Sequence, residues 1–201
     1  MKKILFAASE CVPFIKTGGL ADVVGSLPKC FDKEKYDVRV MIPNYMCIDH
    51  KWKEKMTYVD HFYMDLCWRR QYVGIMEMEY EGVKFYFIDN EYYFPGERPY
   101  SNPRYDLEKF AFFSRAVLSA LPVIDFRPDI IHCHDYHTGL IPVYLKDSFA
   151  NGEFYQGIKS IMTIHNLKFQ GVWDIDTIKD LAGLSDYYFT SDKLKDYDNG
   201  N

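Results

Sequence analysis

The chain opens on a short apolar run, Lys3 to Ala8 (K-I-L-F-A-A), of the kind expected for a central parallel strand covered on both faces. A loop from Ser9 to Gly19 follows. Leu20, Val23, Val24 and Leu27 then fall at helical spacing and predict a helix over Leu20 to Cys30. Tyr36 to Ile42 (Y-D-V-R-V-M-I) alternates and ends at Pro43, which predicts a second strand parallel to the first. Between Met56 and Asp89 the period changes: Tyr72, Gly74, Met76, Met78 and Tyr80 alternate with Val73, Ile75, Glu77 and Glu79 ahead of Glu81-Gly82, where a β-hairpin should close. Asp106 to Leu121 carries Leu107, Phe110, Ala111, Ser114, Val117, Leu118 and Leu121 on one face, and Asp106 is placed to cap that helix. Pro128 to His132 (P-D-I-I-H) reads as a buried strand, Tyr136 to Lys146 as a helix, and Ile158 to His165 (I-K-S-I-M-T-I-H) as another strand. From Gly171 the pattern weakens, and Lys193 to Asn201 is polar with no packing face.

Strands alternating with helices predict an α/β fold: a doubly wound, mostly parallel, Rossmann-like sheet with an inserted β-hairpin. Such sheets bind ligands at the carboxyl ends of their strands. The polar clusters lie there, at Lys16-Thr17-Gly18-Gly19, at His132 to His137 and at His165-Asn166.

The 201 residues, 48% hydrophobic, suit one domain of ordinary size. With 24 Lys and Arg against 29 Asp and Glu, the net charge is −5 and the acids are scattered, so the chain has no basic footprint for nucleic acid or an anionic membrane. Five dispersed cysteines without a C-x-x-C pair read as reduced thiols of a cytoplasmic protein. The first apolar run is shorter than the roughly 7 to 15 residues of a secretory signal. No stretch approaches the roughly 18 apolar residues of a membrane span. Aromatic residues make up 17% of the chain, a feature shared by sugar sites and by plain core packing.

The segment Lys16-Thr17-Gly18-Gly19-Leu20-Ala21-Asp22-Val23 puts two glycines and a lysine at a helix entrance, where backbone N–H groups and the dipole attract anions; a structural turn would use the same glycines. G-x-G-x-x-G spacing is absent, and Pro43-Asn44 stands where a ribose-binding acid would be, which argues against a dinucleotide cofactor. His132-Cys133-His134-Asp135-Tyr136-His137 is the densest titratable cluster. It admits a metal site, a structural arrangement with Asp135 capping the next helix and His132 buried at the strand end, or a sugar site. Its spacing fits no standard ligand set, so no metal is expected. Thr163-Ile164-His165-Asn166-Leu167 ends a strand on an imidazole and an amide.

The order K-T-G-G-L-A-D-V, H-C-H-D-Y-H-T-G-L, T-I-H-N-L-K-F-Q-G-V resembles the N-terminal domain of bacterial glycogen synthases and plant starch synthases, as do Phe94 to Tyr100 and Phe110 to Arg115. The resemblance runs over essentially the whole chain. It implies the first half of a two-Rossmann-domain (GT-B) retaining glycosyltransferase, which moves glucose from ADP-glucose to the non-reducing end of an α-1,4-glucan without metal or other cofactor. By motif it places Lys16, Gly18, Gly19, His165 and Asn166 on the donor side and Asp22, Tyr100 and Asp135 on the acceptor side. His165, Lys16 and Asp135 are the residues expected to serve the reaction. Residues 1–201 would then be one N-terminal domain lacking the nucleotide-binding domain, inactive alone. Donor preference between ADP- and UDP-glucose, glucan length preference and oligomeric state lie outside this reading. A metal-dependent hydrolase and a stand-alone carbohydrate-binding module are the competing functions.

Overall fold

The first apolar run becomes β1 (Lys2–Ala7), whose Leu5, Phe6 and Ala7 are wholly buried. Buried peptide groups must be paired, and β1 finds parallel partners on both edges, β2 (Tyr36–Pro43) on one side and β6 (Ile130–His134) on the other. The computed structural model describes residues 1–200, and within them seven strands form one sheet in the order β3-β4-β5-β2-β1-β6-β7. Here β3 is Thr57–Leu66, β4 Arg69–Tyr80, β5 Val83–Asp89 and β7 Lys159–Thr163. Only β4 runs against its neighbours in this sheet. The expected mostly parallel, Rossmann-like sheet is therefore present, extended at one edge by the hairpins. The β4–β5 turn falls at Glu81-Gly82, where φ is 49° and 71°, the two positive values a type I′ turn requires.

The connections cover both faces. Helix α1 (Gly19–Ser26) links β1 to β2, and α2 (His50–Lys53) carries Trp52, which joins Phe14, Tyr80, Phe85 and Phe87 in edge-to-face packing. The long helix α3 (Pro103–Val123) precedes β6, with Ser119 reaching Met64 of β3 on its sheet side. Helix α4 (Leu140–Lys146) lies between β6 and β7 after a 3-10 turn at Tyr136–Thr138.

Several expectations need correction. Helix α3 starts three residues before Asp106: Asn102 accepts from the Arg104 N–H and Pro103 takes the first position, where its missing N–H costs nothing. Strand β6 continues to His134, because His132, Cys133 and His134 keep the parallel register with Ile161, Met162 and Thr163 of β7. Beyond Gly171 the chain is not patternless. Asp174 caps helix α5 (Ile175–Ala182), and Gly183 ends it in the left-handed conformation. The tail does pack: β9 (Lys195–Asp196) and β10 (Asn199–Gly200) form a three-stranded sheet with β8 (Trp173–Asp174), and Gly200 is buried against Ile178 and Phe189. Asn201, the end of that tail, lies outside the described residues. Among the described residues, no helix is long and apolar enough to cross a membrane.

Asp106, freed from capping, is buried. It accepts from the Ser101 N–H at 3.1 Å and from Lys109 Nζ at 2.7 Å, and Lys109, 2% exposed, also donates to the Pro99 carbonyl at 2.7 Å. This pair lashes residues 99–101 to the first turn of α3 and so fixes Tyr100. Asp106→Ala strands a buried ammonium and should lower unfolding free energy by about 3–5 kcal/mol, while adding Lys109→Met should restore most of the loss. Urea unfolding of the two variants checks this. A single-variant loss under about 1 kcal/mol would mean that the pair behaves as an exposed one.

Candidate functional site

Strand β1 faces β2 on one edge and β6 on the other, so the order of connections reverses beside it. A crevice at the carboxyl ends of β1 and β6 is the usual consequence. Ser9 and Glu10 leave β1 at this edge, Asp135 leaves β6, and Ile164 to Asn166 leave β7.

Gly18, the residue before α1, has φ −146° and ψ −169°, and neither it nor Gly19 has a positive φ. A Cβ on Gly19 would meet nothing within 4 Å, and one on Gly18 only Glu10 at 3.8 Å. The turn itself does not demand glycine at either position, which leaves close approach of a ligand as the physical use of both. The expectation of a row of free amides is corrected in part. The buried Glu10 carboxylate already accepts from the Thr17 N–H, from Thr17 Oγ1 at 2.9 Å and from the Gly18 N–H at 3.3 Å. The amides of Gly19, Leu20 and Ala21 remain without an intrahelical acceptor. Lys16 is bonded to both carboxylate oxygens of Asp22 at 2.7 Å, so these two residues form one exposed pair.

Tyr100 reaches the same edge. Its phenol oxygen lies 2.7 Å from Ser9 Oγ and 3.3 Å from Glu10 Oε1, and its ring stacks on His137 at 4.9 Å. Burial, followed by the Glu10 charge, holds this phenol well above its usual range, so it stays neutral.

Asp135 joins β6 to β7. Its Oδ1 accepts from the His165 N–H at 2.6 Å and the Asn166 N–H at 3.3 Å, while its own N–H donates to the Thr163 carbonyl at 2.9 Å. It does not cap the turn that follows, contrary to the sequence expectation, because its carboxylate is committed to the end of β7. Its backbone, φ 56° and ψ −179°, occupies a region that is essentially glycine's. Thr138 Oγ1 braces the bend, accepting from the His134 N–H at 2.7 Å and donating to the His134 carbonyl at 3.0 Å.

His132, His134 and His165 lie close together and engage neighbours, while His137 packs apart among aromatic rings. His132 Nε2 pairs with Thr163 Oγ1 at 2.7 Å, His134 Nδ1 with His165 Nε2 at 2.9 Å, and His137 packs among Tyr100, Phe110 and Tyr136. Among the described residues no three His, Cys, Asp or Glu side chains are arranged to hold a metal ion. Burial pulls His134 and His137 down to about 3, which keeps both rings neutral. His165 is half-buried and Asn166 exposed, with Asn166 Oδ1 accepting from the Lys168 N–H at 3.0 Å. An apolar pocket of about 330 Å3, lined by Phe110, Tyr136, Leu140, Ile164 and Phe169, abuts Asp135.

Contacts link the α1 entrance through Glu10 and Tyr100 to His137, and Asp135 to His165, along this edge. Glu10 is not among the residues the sequence singles out, and His134 stands there only as a member of the His132 to His137 cluster. The acid directly after the first apolar run was a readable signal for Glu10; the role of His134 depends on the β6–β7 register, which the sequence does not display.

Fold and site together define a Rossmann-like domain with its ligand crevice at the topological switch point, the architecture of one half of a GT-B enzyme. The model of the starch synthase catalytic domain matches residues 3–201, and the chain belongs to that family. A glycogen synthase of Lachnospira eligens is 70% identical over all of this chain and 42% of its own length. One from Lachnoclostridium phytofermentans is 66% identical with the same coverage. The catalytic domain of Starch Synthase IV from Arabidopsis thaliana, solved bound to ADP and acarbose, superposes with a TM-score of 0.78 at 25% identity, over 100% of this chain and 41% of that one. The chain thus spans well under half the length of these relatives.

The Asp135 backbone supplies a test of the clamp. Asp135→Ala loses the bonds to residues 165 and 166 and keeps the unfavourable dihedrals, whereas Asp135→Gly loses the same bonds and relieves them. Strain relief of about 1–3 kcal/mol, reduced by glycine's larger unfolded-state entropy, should leave the glycine variant more stable than the alanine variant by about 0.5–2 kcal/mol. Denaturant midpoints of the two decide it, and an alanine variant equal to or above glycine would show that the bend carries no strain.

Proposed function

We propose that this chain is the acceptor-side half of a glycogen (starch) synthase, transferring glucose from ADP-glucose to the non-reducing end of an α-1,4-glucan with retention of configuration. Family membership and the glycogen synthase relatives support the reading. The observation that carries it is the Asp135 clamp, which fixes His165 on the same crevice edge as the glycine entrance of α1.

In this reaction the bond from the glucose anomeric carbon to the diphosphate oxygen breaks, ADP leaves as the anion, and a glucan hydroxyl forms the new bond on the same face and gives up its proton. Lys16 and the amides of Gly19, Leu20 and Ala21 would face the departing diphosphate, with Gly18 and Gly19 admitting it closely. His165 and Asn166 would hold the sugar being transferred. Asp135, Asp22 and Tyr100 would border the incoming glucan. The chemistry calls for no cofactor and no metal. The imidazole pairings leave a metallo-hydrolase reading without a ligand set, and the catalytic family disfavours a mere binding module.

Residues 1–201 form, on this reading, one domain of a longer enzyme whose second domain supplies most of the nucleotide site. The exposed apolar side chains of Ile161, Met162, Ile164, Leu167 and Phe169 along the free edge of β7 and the loop after it support this, since further chain would cover them. A cytoplasmic location belongs to the same reading.

Two measurements test the proposal. In the enzyme with its second domain, His165→Ala should lower kcat by about a hundredfold or more and shift the KM for ADP-glucose far less, as loss of a transition-state contact does. A kcat within about threefold of the parent would sink the assignment, since the lost contact should cost more. The isolated 201 residues should unfold cooperatively yet transfer glucose from ADP-glucose to glycogen at under about one hundredth of the two-domain rate, because closure of the cleft supplies the donor pocket and excludes water. Activity above that level would show that one domain suffices.

A further inference from the structure

His134 ends β6 with a side chain that solvent does not reach. Its ring lies near-parallel to that of Phe6, 5.4 Å away at 22°, and meets that of His165 edge to edge, 5.2 Å between centroids at 18°, with His132 at 4.2 Å. Its Nδ1 is 2.9 Å from His165 Nε2, while its own Nε2 is buried with no hydrogen-bond partner among the described residues. No donor or acceptor role follows from the distance alone, since either ring could carry the shared proton.

Burial decides the question. A ring that solvent does not reach, packed on Phe6 and beside two further imidazoles, is held neutral, and the depressed proton affinity of His134 agrees. A neutral imidazole carries one N–H. With that proton on Nε2, His134 would bury an N–H that nothing accepts, and a buried donor left without an acceptor is rarer than a buried acceptor left with a free lone pair. With it on Nδ1, the N–H meets His165 Nε2 and only a lone pair is left unpaired. We propose that His134 is a positioning residue: it donates its Nδ1–H to His165 Nε2 and so fixes neutral His165 as the tautomer whose own proton is on Nδ1.

The consequence lies at the crevice. With Nε2 occupied as an acceptor, His165 has Nδ1–H as its one ring donor, and that atom has no protein partner among the described residues. Asp135 holds the backbone of residue 165 while His134 holds the far side of its ring, so both position and tautomer are set before a ligand arrives. A hydroxyl or ring oxygen of a sugar is a ligand chemistry that accepts from such an N–H. The use of this donor in glucosyl transfer rests on the function proposed above; the tautomer itself does not.

Long-range 1H–15N spectra of the histidine-labelled 201-residue chain at neutral pH read the tautomer directly. His165 and His134 should each show a protonated Nδ1 and an unprotonated Nε2. A protonated Nε2 on His165 overturns the proposal from the parent spectrum alone, whether or not any variant folds. His134→Asn keeps an N–H donor near the Nδ1 position and should preserve the His165 pattern, whereas His134→Phe keeps the ring packing without a donor and should let the Nε2–H form of His165 appear; an unchanged pattern in His134→Phe is a refutation. In the two-domain enzyme His134→Phe should lower kcat about tenfold to a hundredfold, as loss of a group that orients a functional histidine does, with the KM for ADP-glucose nearly unchanged and His134→Asn recovering most of the rate. Equal rates for His134→Phe and parent would overturn the functional part. Absence of glucosyl transfer in the parent would instead overturn the proposed function and leave the tautomer assignment standing.

Discussion

Burial of β1 on both faces and along both edges is the constraint from which the other features descend. Leu5, Phe6 and Ala7 have no solvent to pair their peptide groups, so β2 and β6 must supply the partners, and both do so in parallel register. Parallel neighbours require crossovers, and crossovers in both directions from one strand leave a gap at its carboxyl end. The polar residues that could not be tolerated inside the sheet are gathered at that gap.

There they satisfy one another in preference to water. Glu10 takes the amides of Thr17 and Gly18, Asp135 takes those of His165 and Asn166, and Tyr100 lies on Ser9 and Glu10. The Glu10 bonds close the loop after β1, while those of Asp135 and Tyr100 tie the ends of different strands together, so the crevice is preorganised by the same interactions that relieve burial of its polar groups. The unfavourable dihedrals of Asp135 belong to this logic. The bend turns its carboxylate back on β7 rather than forward to the following turn, and the surrounding bonds hold it there.

How much of this the sequence displayed follows from the range of each interaction. Strands β1 and β2, the Glu81-Gly82 hairpin and the body of α3 were legible because period and turn chemistry are local. The start of α3 was misplaced although Asn102-Pro103 is a cap followed by a first-position proline, because Asp106 sits nearer the apolar stripe and competes as a cap on sequence grounds; its real work, with Lys109, is tertiary. The sequence ends β6 at His132, two residues short, because Cys133-His134-Asp135 reads as a polar turn; yet His132 bonds Thr163 and His134 bonds His165 across the β6–β7 pairing. Helix α5 was passed over although Asp174 and Gly183 punctuate it, because at eight residues its periodic signal is brief. Lys16, Gly18, Gly19, Asp135 and His165 stand out in the sequence as polar groups following predicted strands, and the family resemblance supplies only the roles expected of them. Glu10 takes its meaning from Tyr100 as well as from the nearby Thr17 and Gly18, and the His134 ring from His165, contacts across the fold that the sequence does not display.

The charge at the crevice carries the argument one step further. The crevice edge carries the carboxylates of Glu10, Asp22 and Asp135, while the glycine segment brings one cation, Lys16, which Asp22 already pairs. Carboxylates whose remaining lone pairs accept hydroxyl protons suit a neutral, hydroxyl-rich chain such as a glucan; they oppose a diphosphate. What this wall offers an anion is the α1 entrance, whose amides and dipole act over about one turn. On the transferase reading the bulk of the diphosphate charge must then be met from the other side of the cleft, and Lys16 can help only by leaving Asp22. That exchange is inexpensive, since an exposed ion pair is worth at most about 1 kcal/mol. On that reading the Lys16–Asp22 pair would be a resting arrangement that an anion entering the crevice displaces.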